Sequence, residues 1–193
     1  MQELILQALG RNALDEALTL ARQWIEQEPD APLAATLLAT VLRRLDKSDE
    51  ALAVIDQALQ RSPDEAALHL QRATVLLSQR QIEQANQALA QSTTLDPNSF
   101  ESYVLQANLA LVRGDLDEAE RISRLAALLD AEHPQLAAID GMVALHRNDA
   151  DRALSLLTTA ATAMPDDPRL SYGLGFALRA KGHLAFAEQS FRK

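Results

Sequence analysis

Residues 46–63 read Asp46-Lys47-Ser48-Asp49-Glu50-Ala51-Leu52-Ala53-Val54-Ile55-Asp56-Gln57-Ala58-Leu59-Gln60-Arg61-Ser62-Pro63, and the stretch recurs in outline along the chain. Its closing proline has counterparts at Pro29, Pro97 and Pro165, which keep a spacing of 34 residues with one slot, Ala131, filled differently. Its alanine keeps the same period at Ala17, Ala51, Ala85, Ala119, Ala153 and Ala187. A fixed period of this length means a stack of like supersecondary units, none of which buries its apolar face alone.

Each unit carries its own punctuation. Asn12, Asp46, Arg80, Gly114, Asn148 and Gly182 occupy one turn slot, and four of the six are Gly or Asn, which tolerate the left-handed conformation that closes a helix. Acids follow in Asp15-Glu16-Ala17, Asp49-Glu50-Ala51 and Asp117-Glu118-Ala119, where they suit the positive end of a new helix. The unit therefore reads as helix A, a tight turn, helix B and a loop around the proline. A small residue recurring in helix B marks a close approach of two helices.

Composition narrows the partners. Apolar residues make up 48% and aromatics only 4%, so the expected core is Leu, Ala, Val and Ile at helical spacing. A net charge of −9 disfavours a nucleic-acid backbone or an anionic membrane surface as ligand. No apolar run approaches the roughly 20 residues that span a bilayer. Met1-Gln2-Glu3-Leu4 shows no basic leader with an apolar run behind it, so the expected location is cytoplasmic. The absence of cysteine excludes disulfide and thiol chemistry.

Catalytic signatures are missing. His69, His133, His146 and His183 form no i,i+4 pair, which removes the usual zinc spacing. Gly173-Leu174-Gly175 begins like a dinucleotide motif but falls inside helix A of a repeat. Asp166-Asp167-Pro168 reads as an N-cap at Asp167 before a helix that starts on Pro168. Asp115, Asp117, Glu118 and Glu120 lack the spaced ligands of a calcium loop and read as a solvated helix start. The expectation is a protein with no catalytic residues, no cofactor and no metal.

With the proline slot counted as position 32, helix A of the second unit places Ala35, Leu38, Ala39 and Leu42 at positions 4, 7, 8 and 11, and helix B places Ala51, Ile55 and Ala58 at 20, 24 and 27. The sixth unit offers Leu174, Gly175, Leu178, Ala187 and Phe191. This pattern resembles the tetratricopeptide repeat over the whole chain. The resemblance implies an all-α solenoid, a right-handed superhelix of tandem antiparallel helix pairs with about five and a half repeats. The units are 1–31 (partial), 32–65, 66–99, 100–133, 134–167 and 168–193 (cut short), taken as one continuous solenoid. Position 7, usually leucine, departs from the pattern at Arg72, Gln106 and Asp140. Their polar ends are expected to reach the edge of the helix pair, and Asp140, the shortest, needs a partner if buried.

In the resembled family, helix A positions 2, 5, 9 and 12 line a concave groove. Carried over, positions 5, 9 and 12 give Thr36, Thr40 and Arg43, then Leu70, Thr74 and Leu77, then Val104, Asn108 and Leu111, then Ala138, Met142 and Leu145, then Tyr172, Phe176 and Arg179. Position 5 is never lysine and only Asn108 matches at position 9, so the family's clamp for a chaperone's terminal carboxylate is not reproduced. The stripe suits an amphipathic helix or an extended apolar peptide, which makes a protein–protein interaction scaffold the leading expectation. The leucines also suit a tightly wound inner face, or one covered by another part of the same polypeptide. The chain stops within the sixth unit, at Ser190-Phe191-Arg192-Lys193, which leaves Leu184 and Phe191 without a following helix A. Two alternatives follow: an N-terminal recruitment module of a larger bacterial enzyme, such as a sulfotransferase or hydroxylase, or a weak self-association module.

Overall fold

In the computed structural model, residues 1–192 are described, and among them every regular element is an α-helix. In chain order these are α1 (Gln2–Gly10), α2 (Leu14–Gln27), α3 (Pro32–Arg44), α4 (Ser48–Arg61), α5 (Ala66–Ser78), α6 (Ile82–Leu95), α7 (Phe100–Val112), α8 (Leu116–Ala127), α9 (Pro134–His146), α10 (Ala150–Ala163), α11 (Pro168–Ala180) and α12 (Leu184–Phe191). Odd-numbered helices are the A helices of the repeats and even-numbered ones the B helices. The helices group into two compact units, Met1–Ser102 and the part from Tyr103 onward.

The turn between A and B is the same device six times over. Asn12, Asp46, Arg80, Gly114, Asn148 and Gly182 are the residues with positive φ, between 57° and 79°. Beside each, the next residue's N–H bonds back to the fifth residue before it, as from Ala13 to Ala8 O, Gln81 to Leu76 O and His183 to Leu178 O. The turn residue itself bonds back by three, as from Asn12 to Leu9 O and Arg80 to Leu77 O. This double bond satisfies carbonyls that a helix end would otherwise leave unpaired, and it reverses the chain. Where it carries Arg80, the slot holds a residue that does not favour this conformation. The hydrogen bonds and the packed helices impose it.

Helix starts follow the sequence as well. Asp167 Oδ1 accepts the N–H of Arg169 ahead of Pro168, and Asp115 and Asp149 cap α8 and α10 in the same way. α8 ends at Ala127, and the Leu128-Leu129 that follows is exposed. This is the repeat whose proline slot is Ala131.

Packing within each unit follows a solenoid rule. A helices touch their own B helix and the next A helix, as α3 does with α4 and α5, and α9 with α10 and α11. B helices touch the following A helix, as α4 with α5 and α10 with α11. The result is an all-α repeat solenoid. Ala17, Ala51, Ala85, Ala119, Ala153 and Ala187 are all buried, which places the periodic alanine at the close contact its size requires. Trp24, at a position held by alanine in three of the other repeats, joins the core of the first unit with Ile5, Leu38 and Ile55.

Position 7 is half-buried in all three polar cases. Arg72 Nε donates to Asp56 Oδ1 at 2.7 Å. Asp140 behaves differently from expectation: its Oδ1 is sealed from solvent and has no hydrogen-bond partner. Phe191 also differs. Instead of lying open at the end of α12, it folds onto helix A of its own repeat, against Gly175. Leu184, by contrast, is exposed.

Candidate functional site

In the first unit, the A-helix face formed by α3 and α5 carries Thr36, Thr40, Arg43, Leu70, Thr74 and Leu77, all half-buried. Its hydroxyls are spent on local backbone: Thr36 Oγ1 donates to Leu33 O, Thr40 Oγ1 to Thr36 O and Thr74 Oγ1 to Leu70 O. Gln71 Nε2 then donates to Thr40 Oγ1 at 3.0 Å, tying α5 to α3. A threonine bonded to its own helix leaves its methyl group as the surface it offers, so this face is less polar than its composition implies. Arg43 contributes a guanidinium whose Nε is buried without an acceptor.

The second unit offers more. Val104 is core, only 3% exposed, and so lies outside the accessible surface that its helical position implies. Asn108 is half-buried, with its Nδ2 donating to Val104 O. Two open hollows then gather the remaining predicted residues except Tyr172. Asn108, Leu111, Ala138 and Met142 line one of about 200 Å³, together with Gln135, Asp167, Arg169 and Leu170. Met142, Leu145, Phe176 and Arg179 line another of about 490 Å³, together with His146, Asn148, Ala150 and Ala180. Met142 is common to both, as a flexible thioether between two apolar spaces.

Tyr172, the remaining predicted residue, belongs to an aromatic triangle. Its ring lies 6.4 Å from that of Phe176 and 5.7 Å from that of Phe191, and the Phe176 and Phe191 rings stand 5.3 Å apart near edge-to-face. Phe176 remains 40% exposed and Tyr172 59% exposed, so the triangle presents ring surface to solvent. The Arg179 guanidinium sits 4.9 Å from the Phe176 ring centre.

Charge distinguishes the two hollows. In the smaller one, the Arg169 guanidinium clasps both oxygens of Asp167, at 3.0 and 2.6 Å. That hydrogen bond holds the Asp167 carboxyl below its ordinary range. In the larger one, Arg179 has the ring face instead of a carboxylate. His146, Asn148 and Ala150 were not legible as lining residues, because they sit at and beyond the end of helix A, outside the position 2, 5, 9 and 12 pattern. Among the described residues no three His, Asp or Glu side chains converge as metal ligands, and no helix is long and apolar enough to cross a membrane.

Known proteins give the fold a lineage. Two family models described as tetratricopeptide repeat match the sequence, one over residues 42–109 and the other over residues 3–66 and 141–193. No curated protein matches it. Solved structures do. A thermophilic tetratricopeptide-repeat protein of Thermus thermophilus superposes with a TM-score of 0.74 at 21% identity, covering 97% of this chain and 96% of that one. PilF of Pseudomonas aeruginosa gives a TM-score of 0.79 at 18% identity, covering 98% of this chain and 86% of that one. YrrB, a tetratricopeptide-repeat protein with an unusual peptide-binding site, gives 0.63 at 16% identity, covering 88% of each chain. At these identities the likeness is one of fold.

Proposed function

The chain belongs to the tetratricopeptide repeat family, and on that premise we propose that it is a protein-interaction scaffold holding a peptide segment of a partner on its A-helix face. One observation carries the reading: two apolar hollows, sharing Met142, lie open on that face of the second unit. A folded chain does not leave aromatic and aliphatic surface in a concave site without cost, and such a site is the usual place for a ligand. The threonines of the first unit support it too, since hydroxyls bonded within their own helices leave methyl surface for a peptide to cover. The peptide-binding site of YrrB supports the same use of the same fold.

The test is selection of peptides from a displayed random dodecapeptide library on the immobilised chain, followed by anisotropy titration of the winners. Met142→Glu and Leu145→Glu place a desolvated charge in the walls and are expected to abolish binding, with helicity by circular dichroism unchanged. Equal affinity in both variants would move the binding surface elsewhere. Self-association is the second reading, favoured by Leu184 and Phe186, which are 66% and 64% exposed on α12. Light scattering of the parent against Phe186→Ser decides it, since a second copy docked there would be lost.

A further inference from the structure

The larger hollow of the second unit departs from the rest of the chain in the charge of its walls. The chain carries a net −9, yet this hollow is lined by Arg179 and His146 and by no carboxylate. The acids of the adjoining turn and helix start are committed elsewhere. Asp149 Oδ1 accepts the backbone N–H of Arg152 at the start of α10, and Asp151 pairs with Lys181. Arg179 itself is exposed and stacked over Phe176. A guanidinium resting over a ring has N–H groups left for a two-pronged carboxylate contact, and the ring limits the freedom lost on making it. The smaller hollow makes the contrast, because its cation, Arg169, is already clasped by Asp167 and so offers no uncommitted guanidinium to a partner's acid.

We infer that the larger hollow reads partner sequence: it takes a large apolar side chain against Met142, Leu145 and Phe176, with an aspartate or glutamate beside that side chain docked on Arg179. The inference rests on the groove reading above and narrows the partner to an acidic–apolar peptide segment. Charge complementarity selects it. A basic segment is drawn to the acidic chain at long range, but it meets a like charge at Arg179, beside the hollow that takes the large apolar side chain.

The experiment uses the dodecapeptide selection on the full chain, and the selected peptides are then titrated by anisotropy against the parent, Arg179→Glu and Met142→Glu. Each variant is first checked for parental helicity and melting. The expected winners place Asp or Glu within two residues of a large apolar side chain. Arg179→Glu should weaken them about tenfold, and replacing the peptide's acid by lysine should bring Arg179→Glu back to within about threefold of the parent complex. Winners without an acid, or an Arg179→Glu affinity equal to the parent's while Met142→Glu still abolishes binding, would overturn this inference and leave the groove reading standing. If no peptide is enriched, or if Met142→Glu binds like the parent, both readings fall.

Discussion

The Phe191 ring stands where a side chain on Gly175 would be: a Cβ at Gly175 would lie 2.3 Å from Phe191 Cε1. The two residues hold positions 8 and 24 of the last repeat, and in five of the six repeats those positions pair one small residue with one large one. They are Ile5 and Ala21, Ala39 and Ile55, Ala73 and Leu89, Ala107 and Ser123, Gly141 and Leu157, then Gly175 and Phe191. All but Phe191 are buried, and a Cβ at Gly141 would likewise lie 2.8 Å from Leu157 Cγ. Helices A and B of one repeat meet here, and a close-packed contact accepts one large side chain, not two.

Gly175→Ala is therefore expected to push the Phe191 ring out and to destabilise the last repeat by about 1–3 kcal/mol. Adding Phe191→Leu should recover most of the loss, because the pair then matches Ala73 with Leu89. Hydrogen exchange of the α12 amides reads this directly. If Gly175→Ala protects α12 as well as the parent does, the volume trade is not what orders it.

At Arg80 the turn asks for a left-handed residue and receives a long-chain cation at φ 58°. That conformation costs a residue bearing a Cβ roughly 1–2 kcal/mol, part of which a glycine returns as lost entropy in the unfolded chain. Arg80→Gly should raise stability by about 0.5–1 kcal/mol in urea titration. Gly114→Ala, made at φ 76°, should lower it by about 1 kcal/mol. An Arg80→Gly variant weaker than the parent would show that the side chain, and not the backbone, dominates this position.

Period and turn made the helix pairs legible, since alanine, proline and the left-handed slot each answer to one local requirement. The candidate site was legible only where it lies on the repeating face. Met142, Leu145, Phe176 and Arg179 follow from helical position, whereas Val104 shares the pattern and is buried. Side-chain direction depends on how neighbouring helices lean, and a 34-residue register does not encode that. Phe191 escaped for the same reason. Leu157, its counterpart at position 24, packs against Gly141 of its own helix A and also against Gly173 of the next, so the partner of position 24 depends on residues that the period alone does not name.

Asp140 is the one polar residue at position 7 with a sealed oxygen and no partner, while Arg72 at the equivalent place has Asp56. The second repeat has Leu38 there, 4% exposed. An unmet buried acceptor costs about 1–3 kcal/mol, and an apolar side chain of similar reach removes that cost. Asp140→Leu should stabilise the chain by about 1–2 kcal/mol by thermal and urea unfolding. A destabilised variant would mean that Asp140 has a donor in solution, such as a bound water.

Asp167 offers a test by pH. Its carboxylate accepts from the Arg169 guanidinium and from the Arg169 backbone N–H at the start of α11, and both bonds lower its pKa in the folded chain. The folded value lies below the unfolded one, so the ionised form favours folding. That contribution is complete above the ordinary aspartate value of about 4 and is lost as pH falls through the lower folded value. Asp167→Asn keeps a capping oxygen and removes the charge, so it should melt below the parent at pH 7. The gap should narrow steadily as the pH drops under about 4, where the parent loses the same charge. A melting difference of equal size at pH 7 and at strongly acidic pH would assign the effect to the cap alone and leave the Arg169 pair without a part in it.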